Sequence, residues 1–272
     1  MATYYIATTG NDTTGNGSSG NPWATLSKAY SSSTGGDTIE CAAGTYTFAT
    51  ASMSTARTLR AASNVAVIFD GASADRYWGL GGNWTFTGIT FQNISQTNSS
   101  NYPIFGYLNT SGSGTATFTN CIFKSLIVRS DNAAYGGVMG TFANSGAFVL
   151  TSCLMFNITP VSGYAFGKLF ARDNLTVTLT GCVIAFVSLS ENFRLIGDST
   201  VTLTIKNTII YNGTAKILTG ATATATYSDF YSITSAPTGT GVITSDPLFI
   251  DAAAGNFRLR PTSPCLNTGS AV

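Results

Sequence analysis

TATFTNCIFKS occupies residues 115–125, and two later stretches spell the same pattern, AFVLTSCLMFN at 147–157 and TVTLTGCVIAF at 176–186. Each alternates apolar residues with neighbours such as threonine, then places a turn former, a cysteine and a second apolar run. Aligned on Cys121, the equivalent residues are Ile89, Cys121, Cys153, Cys182, Thr208 and Ser228, at steps of 32, 32, 29, 26 and 20 residues. Three residues before this cysteine column stand Phe86, Phe118, Leu150, Leu179, Ile205 and Ala225. Two residues after it stand Phe91, Phe123, Met155, Ile184, Ile210 and Phe230. One residue before it lie Gly88, Asn120, Ser152, Gly181, Asn207 and Tyr227, mostly turn formers.

Alternation with a period of two marks strands whose sides differ in burial. The phase breaks at the turn former, which requires a strand, a sharp bend and another strand. Upstream blocks repeat as well: IFGYLN (104–109), VMGTFAN (138–144), FGKLFARDN (166–174) and FRLIGDS (193–199). Each coil therefore holds three short strands, and the variable spacing belongs to the loops. Stacked coils without helical period predict an all-β fold, a single-stranded right-handed parallel β-helix of about eight or nine coils rising about 4.8 Å each. One domain spans 1–272, with an N-terminal strand and capping helix at 1–35, coils at 36–250 and a closing segment at 251–272. Cys121, Cys153 and Cys182 then form an inward ladder of small, unbridged thiols. The capping helix is expected over NPWATLSKAY (21–30), with Asn21 as N-cap, Pro22 in the first turn, and Trp23, Leu26 and Tyr30 on the face that covers the open end.

Composition narrows the function classes. Charged residues make up 9% of the 272, apolar residues 44%, and the net charge is +1. That balance argues against disorder and against a nucleic-acid partner, which needs a basic field. The apolar runs are too short for membrane insertion. Five cysteines without a CxxC pair, and no histidine, leave no expected metal site and no cofactor, and exclude a Ser–His–Asp triad. No basic and apolar leader follows Met1, so no signal peptide is visible; either a leader has been removed or the protein leaves its cell by another route such as lysis.

The chain's two ends resemble the right-handed β-helix proteins of the pectate-lyase-like superfamily. The N-terminal match runs through Gly10, Asp12, Gly15, Pro22, Thr25, Leu26, Ala29, Gly36, Asp37, Ile39, Gly44 and Tyr46. The C-terminal match runs through Asp246, Pro247, Phe249, Gly255, Phe257, Leu259, Ser263, Pro264 and Gly269. The resemblance implies the fold over nearly the whole chain. It does not select an activity, because its members include polysaccharide lyases, glycosidases, adhesins and phage tail proteins. Relatives often continue past the final glycine; this chain stops at Val272, as expected of a minimal helix.

Lyase or glycosidase chemistry on such a scaffold needs clustered carboxylates and a base. The acid–base set that the pattern brings together is Asp173 and Asp198 with Arg172 and Arg194, near Glu191. Asn109 and Asn144 hold the equivalent place in earlier coils, which favours turn residues there. A glycan platform is the alternative use of DRYWG (75–79), with Arg76, Tyr77 and Trp78 in a loop; core packing by Trp78 competes with it. Two outward stripes remain. One is a double threonine column, Thr85/Thr87, Thr117/Thr119, Val149/Thr151, Thr178/Thr180, Thr204/Lys206 and Thr224/Thr226, which is ordinary sheet surface or an ice-binding pattern. The other is apolar: Ile122, Leu154, Phe156, Val183, Ile209 and Tyr211. It should meet the chain's own loops, such as 95–113, or a neighbouring subunit of a homo-oligomer, a trimer by analogy with spikes. These features lead to a structural, non-enzymatic protein of a virion or extracellular surface, such as a phage tail or capsid-decoration component, with possible glycan (polysaccharide) binding. A polysaccharide lyase or glycoside hydrolase is the first alternative and an ice-binding protein the second.

Overall fold

A computed structural model describes residues 1–96, 103–107, 114–128, 137–141, 145–161, 167–171, 174–186, 193–196, 201–213 and 222–270. Successive strands turn through three parallel sheets in a repeating order. The first sheet has nine strands: Thr3–Ile6, Thr38–Cys41, Thr58–Ala61, Trp84–Thr87, Thr115–Thr119, Gly146–Thr151, Leu175–Thr180, Thr202–Lys206 and Thr222–Thr226. The second has eight, running from Gly44–Thr47 through Ile89–Gln96, Ile122–Val128 and Leu154–Pro160 to Asp229–Ile233. The third has six, among them Trp78–Leu80, Phe105–Tyr107 and Met139–Thr141. The chain is a right-handed parallel β-helix. Each strand of the second sheet opens one coil's second face, so the described residues make eight coils, within the expected number.

The three apolar columns point inward as the spacing requires. Phe86, Phe118, Leu150 and Leu179 are 0% exposed, as are Phe91 and Phe123. Their rings stack coil on coil, Phe86 on Phe118 at 4.6 Å and Phe91 on Phe123 at 5.4 Å between centroids. Between the columns the chain turns through the left-handed region at six successive coils: Gly88, Asn120, Ser152, Gly181, Asn207 and Tyr227 have φ of 71°, 54°, 52°, 62°, 50° and 49°. This is the bend implied by the phase break. L-residues pay about 1–2 kcal/mol to enter that region, and asparagine and glycine resist least. Asn120 is exposed, so Asn120→Val is expected to destabilise by about 1–2 kcal/mol while Asn120→Gly is neutral or better, read as shifts of the urea midpoint.

A second bend escaped the sequence reading. Asn93, Ser125, Asn157 and Ser232, each four residues past the cysteine column, have φ of 52–54°. Their side chains run outside the coils. Asn157 Nδ2 donates to Ser125 Oγ at 3.1 Å, and Asn93 Nδ2 donates to Asp70 at 2.8 Å.

The cysteine ladder is inward, and its members are free thiols. Smallness is only half of its logic. The Cys153 thiol reaches the carbonyls of Phe118 and Thr151, both at 3.4 Å, and Cys182 reaches those of Leu150 and Thr180 at 3.4 and 3.5 Å. Thr208 and Ser228 continue the column, their hydroxyls donating to the Lys206 and Thr226 carbonyls at 2.9 and 2.8 Å. From Cys121 onward the position holds a small side chain with a donor for the carbonyl two residues back. The Cys121 thiol beside it and burial push Cys153 up to about 12, so it stays protonated and inert.

The lid forms, with a shifted start. Helix Leu26–Ser32 is capped by Thr25, whose hydroxyl accepts from Lys28 N, rather than by Asn21. Asn21 pairs with Ser18, and Trp23 extends the first sheet by bridging to Ile6, so the chain cannot turn helical until residue 26. Asp12 fixes that entry by accepting from the Ala24 and Thr25 amides and the Thr25 hydroxyl. Arg57, 5% exposed, anchors the other end: it donates to Ser33 Oγ at 2.8 Å and to the Ser33 carbonyl at 2.7 Å, and lies 4.6 Å over the Tyr30 ring. At the same corner Asp37 accepts from the Ala2 and Thr34 amides and the Thr34 hydroxyl, which hold its carboxyl down to about 2. The N-terminal acids are structural fasteners.

Candidate functional site

The acid–base set read from the sequence falls mostly outside the described residues: Arg172, Asp173, Glu191 and Asp198, and with them Asn109 and Asn144. Arg194 lies in strand Phe193–Ile196 of the third sheet, in register with Lys168. Among the described residues no group of three His, Cys, Asp or Glu could hold a metal ion. No helix of the described residues is long and apolar enough to cross a membrane.

Trp78 is not available to the expected aromatic platform. DRYWG is no loop at its end: Trp78 opens strand Trp78–Leu80 and is 1% exposed. Its indole stacks on Phe48 at 4.4 Å, meets Phe69 and Phe91 edge to face, and donates from Nε1 to the Ala49 carbonyl at 2.9 Å. No face of it is left for a sugar. Arg76 and Tyr77 stay partly exposed beside it.

The apolar stripe is covered from within at its C-terminal half, by a segment other than the one expected. Strands Phe249–Asp251 and Asn256–Leu259 form an antiparallel hairpin that lies back on the second sheet. Phe257 packs edge-on to Phe156 at 5.3 Å, and Phe249 to Tyr211 at 5.2 Å. A Cβ on Gly255 would stand 3.1 Å from the Phe156 ring, so the residue that turns the hairpin has little room to grow. The tail is then tied down by Asn207, whose side chain accepts from Ser270 N at 3.0 Å and donates to Ser270 O at 2.8 Å. A cavity of about 220 Å³ remains beneath, lined by Val183, Ile209, Leu259, Asp229 and Cys265. Asp229 is 2% exposed; burial raises its carboxyl to about 6, and its Oδ2 accepts from the Cys265 thiol at 3.1 Å. Asp229 stands in register with Ile209 at the end of this stripe, beneath the returning tail. Farther up, Ile122 and Leu154 sit in register with each other and are partly exposed.

The first sheet keeps its register from the N-terminal strand to Thr222–Thr226 without a shift. The threonine stripe is therefore a true lattice. One column runs Thr58, Thr85, Thr117, Val149, Thr178, Thr204 and Thr224. A third column, not seen in the sequence, adds Thr115, Ala147, Thr176, Thr202 and Thr222. Among the described residues, charge on this face is confined to Lys206 and the Glu40–Arg60 pair, whose members neutralise each other at 2.7 Å. A groove of about 570 Å³ lies beside the lid, between Thr25, Ser27, Thr45, Thr47 and Met53.

Among known proteins, no family model and no curated protein matches the sequence. Solved structures do match. The pectate lyase Pel9A is similar at 16% identity and TM-score 0.42, over 100% of this chain and 92% of that one. A pectin methylesterase in complex with a hexasaccharide is similar at 12% identity and TM-score 0.39, over 99% and 98%. XylC in complex with xylose is similar at 9% identity and TM-score 0.48, over 89% of this chain and 66% of that one. At such identities the likeness concerns the fold and does not extend to substrates.

Proposed function

We propose that the chain is a non-enzymatic structural β-helix protein of a virion or cell surface, of the tail or capsid-decoration kind, and that it self-associates. The observation that supports this reading is the neutral wall the helix displays. Outward positions of the first sheet carry threonine coil after coil, and the charges beside them are paired or marginal. Polyuronates are anions, and a surface that processes them needs cations or calcium-binding carboxylates in a groove. This wall suits a rigid rod that contacts other surfaces. The partly exposed Ile122 and Leu154, left free of the C-terminal hairpin, are its self-association patch.

Light scattering after gel filtration is expected to give a homo-oligomer, with a trimer as the leading arrangement. Ile122→Lys with Leu154→Lys is expected to return the monomer mass without changing the melting temperature. A monomer at every concentration overturns the self-association. Release of unsaturated or reducing ends from pectate, alginate or xylan overturns the non-enzymatic reading.

A further inference from the structure

We propose that the outward face of the first sheet, the neutral wall described above, is an ice-binding surface. Its centre is the block formed by Thr176, Thr178, Thr202, Thr204, Thr222 and Thr224, three successive coils in unbroken register. Thr176, Thr202, Thr204, Thr222 and Thr224 are exposed, and Thr178 is partly so. Strands of one sheet lie about 4.8 Å apart, and residues on one side of a strand repeat every ~6.6 Å. The hydroxyls and methyls are thereby fixed on a two-dimensional net of those spacings, the shorter of which is near an oxygen repeat in ice.

Threonine suits that net for a physical reason. Its branched side chain is stiff at χ1, so neighbouring copies in a ladder present the same rotamer. A regular row of methyl groups holds ordered water over itself, and the adjacent hydroxyls anchor that water by hydrogen bonds. Charged groups would impose their own hydration, and the block contains none; the nearest among the described residues, Lys206, stands at its margin in register with Thr180 and Thr226. The uneven coil lengths leave the net intact. Steps of 26 and 20 residues separate the three coils concerned, yet the pairings of this sheet carry no shift. A glycan would ask for something else, namely exposed aromatic faces and convergent polar groups. A neutral, repeating, exposed net matches a neutral, repeating crystal plane.

The test is thermal hysteresis and ice-recrystallisation inhibition by the purified full chain, against serum albumin at equal concentration. A gap between melting and growth temperatures is expected, with faceted crystals. Thr178→Tyr and Thr204→Tyr, each placing a bulky ring in the centre of the net, are expected to lose most of that gap while keeping the wild-type melting temperature. Thr90→Tyr, on the second sheet, is expected to keep it. Hysteresis no larger than albumin's overturns the proposal, and so does equal loss in the Thr90 variant. Retention of chain on crystalline cellulose without any effect on ice also overturns it and assigns the face to a glycan.

Discussion

Replacing Trp78 by alanine is expected to cost about 3–5 kcal/mol, the range for removing a fully buried large aromatic, and to be the most damaging single substitution in the N-terminal coils. Trp78 is the hub at which the three faces meet: Phe48 and Phe86 stack on its indole at 4.4 and 6.1 Å, and Phe69, Phe91 and Phe105 approach edge-on at 5.4, 5.6 and 5.9 Å. Alanine would leave a cavity among rings that are held by their own stacks and cannot close it. It would also remove the bond from Nε1 to the Ala49 carbonyl at 2.9 Å, although Ala49 is exposed and water can take the donor's place. Trp78→Phe should retain much of the stacking and lose about half as much. Denaturant midpoints with unchanged slope check both figures. If Trp78→Ala melted like the wild type and instead abolished glycan binding, the residue would be a surface platform after all.

That residue also shows why part of the fold was legible and part was not. The first two sheets could be read because their columns are long, apolar and interrupted at a fixed place by residues that tolerate left-handed backbone. Asn120, Ser152 and Gly181 mark a bend in any alignment of the repeats. The third sheet has strands of only three residues in this region, buried throughout at Trp78–Leu80 and at Met139–Thr141, so no alternation survives. Its signature is different: Gly79, Gly106 and Gly140 lie in register between larger neighbours. Aligning WGL with FGY and MGT would have moved Trp78 out of its supposed loop and into the core. The second bend was hidden because Ser125 and Asn157 sit inside continuous strands, where polar residues read as the solvent side of an alternating pattern.

The surface was legible only as far as it depends on local pattern. Period two placed the threonines outward, and the structure adds the register that makes them a net. The fate of the apolar stripe depends on a contact between distant segments. Nothing local ties Phe156 to Phe257, or Tyr211 to Phe249, although the closing signature contains both partners. Tertiary return of a terminal hairpin is the kind of information that spacing within repeats does not contain. The same signature explains its own residues once folded: Asp246 accepts from Leu248 N at 2.9 Å and Ser263 donates to the Pro247 carbonyl at 2.6 Å, both shaping the turn that sends the tail back.

Asp229→Asn is expected to stabilise the protein at neutral pH and to leave it unchanged near pH 4. The aspartate is carried under the tail by the same hairpin that covers the stripe, and burial raises its carboxyl from 3.8 to about 6, with Asp246 adding repulsion. Its Oδ1 is buried without a partner. Between about pH 4 and 6 the folded chain retains a proton that the unfolded chain has released, so stability falls as pH rises through that window and is flat above it. At about 1.4 kcal/mol per unit, reduced for the water such a cavity admits, the ionised group costs about 2 kcal/mol at pH 7. Asparagine keeps an acceptor for the Cys265 thiol and has no charge to bury. Asp12, Asp37 and Asp70 have lowered carboxyls, so their contribution has the opposite sign and is lost only as pH falls below their unfolded value near 3.8. Unfolding midpoints of wild type and variant at pH 4.5 and 7.5 therefore isolate Asp229. A variant that is less stable at pH 7.5 would mean that the carboxylate is held ionised by a partner, and that the tail is clasped by its charge rather than in spite of it.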